Sequence, residues 1–259
     1  MRTGNFEDLA DALAAFGVAR AKSFGEALLV SVDVERAVGG PHAASFLHDH
    51  IAQSLHGCGH AARVAAWSAW LCLLPRKTLT ACTYLSGPPA HGVSVVEECQ
   101  ASVVAAFIHD TGRRDERVDP SHGDASADHR GDHLLATIPH ARLAADALMA
   151  VRLHSRPEPA AGPVDQRSRA WAILKDADGL DWGRFGSPTS GYGCDISYLR
   201  TQAASDTAVV WMAWHVAQMR PVGGWGDAPA AQLRETVRRA VGPLIADPVA
   251  GPVVEALLH

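Results

Sequence analysis

His109 and Asp110 stand at the end of the apolar run Val103-Val104-Ala105-Ala106-Phe107-Ile108 and immediately before Thr111-Gly112. An imidazole beside a carboxylate is a donor set that suits zinc, iron, manganese or magnesium, and neither group is comfortable at the inner end of an apolar helix without a partner. The pair therefore reads as two adjacent metal ligands presented from the last turn of a buried helix. An isolated His-Asp dipeptide is more often innocent, the aspartate capping a turn and the histidine satisfied in the core. What sets this pair apart is the rest of the chain.

The elements that must position the pair are helical. Phe6 to Phe16 has the spacing of a short amphipathic helix, and Ala43 to about Ser54 of another after Gly39-Gly40-Pro41. His60, Val64, Trp67, Leu71 and Leu74 recur at steps of three and four, which puts His60 on a buried stripe ended by Pro75. Glu97 to Asp110 forms the central helix. Pro120 opens a further one through about Ala127, and Pro139 opens one in which Leu143, Ala147, Val151 and His154 share a face. Ser168 to Asp178 aligns Trp171, Leu174 and Asp178. The glycine-rich stretch Gly183 to Gly193 is loop, and Val209 to Met219 and Leu233 to Ile245 supply two later helices. No strand pattern or internal repeat is convincing, so the expected class is all-α. The expectation is a single domain over 1–259, with a core at about 43–220, an N-terminal helical extension over 1–40 and a C-terminal one over 229–259.

Four helices thus deliver a candidate ligand from an apolar face: His60, the pair His109-Asp110, His154 and Asp178. His122, in the first turn after Pro120, is a fifth, with His129 and His133 as rivals on the same face. Convergence of such residues is what a metal site in a helical bundle requires, although periodicity shows only that they face inward.

The order His, His-Asp, Asp on separate helices resembles the HD-domain superfamily of metal-dependent phosphohydrolases. The segments HGCGHAARVAAW at His56 to Trp67, AAFIHDTGR ending at Arg113 and LKDADGLDWGR at Leu174 to Arg184 resemble its ligand-bearing segments. The resemblance spans roughly His56 to Arg184. It implies an HD-domain-like helical bundle with additional N- and C-terminal helices, and it implies His60, His109, Asp110 and Asp178 as ligands of a divalent ion such as Mn, Fe, Zn, Mg, Ni or Co. The family has one-metal and two-metal forms. DPSHGDASA at Asp119 to Ala127 and AVRLHSR at Ala150 to Arg156 look like the insertions of the latter, which would add His122 and His154 as ligands of a second ion, bridged to the first by Asp110. The nucleotidase-like members carry a glutamate shortly after the His-Asp pair and the alarmone hydrolases an acidic pair. This chain has Arg113 and Arg114 there, so it departs from both.

Arg63, Arg113, Arg114 and Lys175 are near the ligands in sequence and are candidates to neutralise phosphate charge, Arg113 first among them; an ordinary solvated or salt-bridged charge is at least as good a reading of each. His56 is a candidate to hydrogen-bond a ligand or the substrate. His48-Asp49 lacks the apolar helix end and glycine turn and reads as surface. Trp67, Trp171, Trp211 and Trp214 read as core, while Trp182 and Tyr192, flanking the glycine-rich loop, read as lid or pocket residues.

Composition bounds the partners. A net charge of -5 with 47% hydrophobic residues carries no basic footprint for nucleic acid, and no apolar run has the length of a membrane span. Five cysteines without a Cys-x-x-Cys suggest neither a disulfide framework nor a thiolate zinc site. Glu7, Asp8 and Asp11 are wrong for a signal peptide, and a cytoplasmic location is expected. The leading expectation is hydrolysis of a phosphomonoester or phosphodiester in a small molecule, for instance a nucleotide. The alternatives are a mixed-valent di-iron oxygenase of the same superfamily, a metal-dependent nuclease, which the acidic charge argues against, and a non-enzymatic bundle, which would have little reason to turn so many ionisable groups inward.

Overall fold

A computed structural model describes residues 5–42, 45–74, 93–157 and 168–259. Among the described residues there is no strand, and the expected all-α class holds. Eleven α-helices follow one another: α1 (Leu9–Phe16), α2 (Val18–Val38), α3 (Asp49–Ala52), α4 (Cys58–Leu73), α5 (Val95–Ile108), α6 (His122–Thr137), α7 (Ala141–Leu153), α8 (Arg169–Leu180), α9 (Thr207–Gln218), α10 (Pro229–Val241) and α11 (Gly251–Leu258). Among the described residues no helix is long and apolar enough to cross a membrane.

Helix α4 is the axis. Its residues from Cys58 to Cys72 are all buried, because a segment of alanine, tryptophan and leucine on every side has no face to give to water. Helices α2, α5, α8 and α10 pack against it. Phe24 of α2 stacks on Trp67 at 4.4 Å between ring centres, and Trp70 meets Trp67 edge-on at 5.6 Å. Such fully buried rings are each worth about 3–5 kcal/mol against truncation to alanine.

Helices α2 and α11 fall within the expected N- and C-terminal helical extensions but were not delimited there as helices of their own. The stripe Ala21, Phe24, Leu28 and Val32 is helical in period, but small and polar residues between them dilute the signal. Both helices belong to the main core together with α10, so the segments expected as extensions share one interior with the rest. Glu35 of α2 also caps α10: Ala228 offers no side-chain cap, and the buried Glu35 carboxylate accepts from the amides of Ala230 (2.8 Å) and Ala231 (3.1 Å). The helix expected over Ala43 to Ser54 shrinks to α3, with residues 43–44 outside the described ones, because the chain then makes tight turns at Ser54 and Gly57. Helix α6 instead runs on past Ala127, since Gly131 and Leu134 continue its buried stripe.

Caps and close approaches set where the helices end. Ser94 and Glu97 form a reciprocal capping box at the start of α5, and Ser168 caps α8. At the other end of α5 a Cβ on Gly112 would run into the Ser126 backbone of α6, and one on Gly123 would run into the Val151 carbonyl of α7. Glycine at these two places lets the end of α5, the start of α6 and the end of α7 meet.

Candidate metal centre

The meeting point is where the candidate ligands converge. His60 lies in the first turn of α4, His109 and Asp110 just past the end of α5, His122 at the first residue of α6, His154 just past the end of α7, and Asp178 in the last turn of α8. The four histidines and Asp110 are buried, and Asp178 is the most open, with 23% of its side chain exposed.

The histidines form two facing pairs. His60 Nε2 lies 3.0 Å from His109 Nε2, and His122 Nε2 lies 2.9 Å from His154 Nε2. Asp110 sits between them and divides its oxygens. Oδ1 is 2.9 Å from His122 Nε2 and 3.4 Å from His154 Nε2, while Oδ2 is 3.4 Å from His60 Nε2 and 3.8 Å from His109 Nε2. Asp178 Oδ1 adds a further oxygen 3.4 Å from His60 Nε2.

The protonation of these rings follows from what their other nitrogens touch. His109 Nδ1 contacts the Ala106 carbonyl at 2.7 Å, His154 Nδ1 the Val151 carbonyl at 2.7 Å, and His122 Nδ1 the Asp119 carbonyl. A carbonyl only accepts, so each Nδ1 donates. His60 Nδ1 meets Asp181 Oδ2 at 2.7 Å, and that carboxyl is held well below the usual carboxylate range, burial being outweighed by Arg63, His60 and Arg184. It too can only accept. In the neutral ring every Nε2 is then a lone pair, that of His122 with Arg113 Nη1 3.2 Å away, and two such lone pairs 3 Å apart repel unless a cation lies between them. Burial pushes His109 down to about 3, which keeps it neutral. Burial alone would raise Asp110, but His109 and His122 hold it well below the usual range; Asp178 is likewise lowered, by His60 and His109 against burial. Neutral His109 and His154, both lowered by burial, and the ionised carboxylates, with Nδ1 tied back to backbone, are the donor states and supports that a divalent cation takes. Buried His and Asp groups here could hold a metal ion.

The supports differ from the ligands in how well they were foreseen. His56 precedes α4 and donates from Nδ1 to Asp110 Oδ2 at 2.9 Å, the role considered for it. Asp181 and Arg184 were not singled out. Asp181 is fully buried, orients His60, and takes Arg63 through both oxygens at 2.5 and 3.0 Å; Arg184 joins it at 3.2 Å. The signal was a carboxylate three residues after Asp178 in the apolar setting Leu180-Asp181-Trp182, the reasoning applied to Asp110 but not extended to it. Arg63 therefore sits behind His60 as a positioning residue, salt-bridged to Asp181 rather than aimed at phosphate, the candidate role considered beside a salt bridge. Lys175 donates to the carbonyls of His154 (2.7 Å) and Arg156 (3.0 Å), steadying the end of α7. Arg113 is closest to its expected place: Nη1 is 3.9 Å from Asp110 Oδ1 and Nη2 donates to the Arg117 carbonyl at 2.8 Å. His129 points to the Ser45 carbonyl, and neither it nor His133 reaches the cluster. His48-Asp49 stays away from it as well, with Asp49 exposed.

A cavity of about 290 Å³ opens onto Asp110, Asp178, His122 and His154, with Arg113 and Trp182 among its walls. A larger one of about 500 Å³, bounded by α2, α5 and the α6–α7 turn, is lined by none of the constellation, so size does not locate the chemistry. No family model, no curated protein and no solved structure matches the chain. The functional reading rests on the site itself.

Proposed function

We propose that this chain is a metal-dependent phosphohydrolase of the HD-domain type, cleaving a phosphomonoester or phosphodiester of a small molecule. One observation carries the reading: the two oxygens of Asp110 face two separate histidine pairs, each with its Nε2 lone pairs turned inward. His60, His109, Asp178 and Asp110 Oδ2 would hold one divalent ion, and His122, His154 and Asp110 Oδ1 a second. The chemistry such ions would supply is polarisation of a phosphoryl oxygen and a water whose pKa is brought into the neutral range. The chain's own residues do the rest. Asp181, with Arg63 and Arg184 behind it, fixes the tautomer and direction of His60. His56 keeps its Nδ1 proton on Asp110 Oδ2, and the Arg113 guanidinium offsets phosphate charge at the cavity wall. The cavity volume suits a small phosphorylated molecule, and a net charge of -5 gives no attraction for a nucleic-acid backbone.

The complete second histidine pair also favours one other reading, a mixed-valent di-iron oxygenase, since such a centre needs all six ligands. Elemental analysis of protein purified without added metal, followed by turnover assays, separates the two. Hydrolysis expects release of phosphate from an ester under anaerobic conditions with added manganese. Two irons per chain with turnover only in oxygen would replace it with the oxygenase, and a chain holding no metal would end both.

A further inference from the structure

Two aromatic side chains at the mouth of the cavity have no part in the metal chemistry. Trp182 and Phe185 both line it, and they are 50% and 42% exposed. Trp182 is the one tryptophan among the described residues exposed to that degree; Trp67, Trp70, Trp171 and Trp211 are buried. The two rings stand at 81° with centres 6.0 Å apart, forming a corner. The corner is braced from within: the Arg184 guanidinium lies 4.3 Å over the Phe185 ring, and Phe185 lies 6.2 Å from the ring of His56, which is bonded to Asp110. Trp182 follows Asp178 by four residues, in the 3-10 turn Asp181–Arg184 that continues α8, and both side chains line the same cavity.

From this we infer that Trp182 and Phe185 determine specificity, receiving a planar aromatic group carried close to the phosphorus of the substrate. A flat ring entering such a corner stacks on one wall and meets the other edge-on, which satisfies both aromatic quadrupoles, whereas an aliphatic group gains only buried area. Val118 and Pro120 add apolar lining to the cavity, and Asp110, His122 and His154 are buried while the two aromatic rings are half exposed, so the phosphate would face inward and the apolar end of the ligand outward. The inference rests on the proposed reading of the site as a phosphate-ester centre.

Calorimetric binding of phenylphosphonate and methylphosphonate to the metal-loaded protein tests it without requiring turnover. The wild type is expected to bind the phenyl compound on the order of tenfold more tightly, the size of one aromatic contact. Trp182→Ala and Trp182→Leu should erase that ratio while leaving methylphosphonate affinity within about twofold. Trp182→Phe should keep most of it, because a flat wall remains. Equal binding of both ligands by the wild type, or an unchanged ratio in Trp182→Ala, overturns the specificity assignment and leaves the phosphate site standing. Binding of neither ligand, nor of inorganic phosphate, by the wild type overturns both.

Discussion

The two histidine pairs face one carboxylate but are held by different physics. His60 stands on the central helix, and behind it Asp181, Arg63 and Arg184 form a network of charges closed to water. Asp178 completes that half with a second carboxylate. His122 and His154 sit at the ends of α6 and α7, tied back through Nδ1 to the carbonyls of Asp119 and Val151, and Asp110 is their one carboxylate. The helices that bear them are clasped by the half-exposed pairs Arg152–Asp128 and Arg156–Asp124, each at 2.6 Å. A buried network resists displacement because breaking it strands charges away from water, whereas surface pairs are screened and weak. The His60 half is therefore the more firmly braced and, on the proposed two-ion reading, would with its larger donor set be the stronger binder. The other half would then lose its ion first.

The largest effect should come from the residue both halves share. Asp110→Ala is expected to empty both sites in elemental analysis and lower kcat/KM by on the order of 10³-fold or more, since metal polarisation is worth several kcal/mol. Full metal content in that variant would dissolve the comparison altogether. Next comes the buried network. Asp181→Ala leaves Arg63 and Arg184 without their counter-charge and should cost about 3–5 kcal/mol in denaturant unfolding. Chelator competition should also show the His60 ion bound roughly 10–100-fold more weakly, with the second ion little changed.

Acid should act through the buried rings. His109 falls from 6.5 to about 3 because burial disfavours its charged form. The unfolded chain therefore takes up a proton below pH 6.5 that the folded metal-free protein refuses until about pH 3. Stability from this group is complete above 6.5 and is lost as pH falls through that window. Burial lowers His154 in the same sense, while Asp110 and Asp181 raise His60 against burial and so oppose it. The contribution of His109 is isolated by comparison: the melting temperature of His109→Gln should fall less steeply between pH 6.5 and 4 than that of the wild type. Parallel curves would remove burial as the cause. The smallest effect belongs to the clasp of the second half. Arg156→Ala should change stability by less than about 1 kcal/mol, and high salt should abolish the difference. A larger or salt-insensitive loss would make the two halves alike.

Much of the site was legible because its chemistry conflicts with its surroundings. His109-Asp110 closes an apolar helix, His60 interrupts an apolar stripe, and His154 falls in register with Leu143, Ala147 and Val151. In each case the period of the helix turned a polar residue inward. Asp181 obeyed the same rule but was hidden by its proximity to Asp178. Helix α2 was passed over because alanine and serine blur its stripe. The unforeseen tasks of Arg63 and Lys175 have a different cause. Long cationic side chains reach any of several neighbours, and the partner is chosen by the fold.

Composition, helical period and the position of glycine and proline by themselves determined an all-α chain in which five metal-ligand candidates, His60, His109, Asp110, His154 and Asp178, face inward, since both statements depend only on local geometry. Which nitrogens meet, that Asp110 splits its oxygens between two pairs, and that His122 enters the cluster while His129 and His133 do not, were decided by the packing of five helix ends, three of which meet at Gly112 and Gly123. Periodicity fixes a direction around one axis. Only the tertiary contacts bring separate axes to the same point.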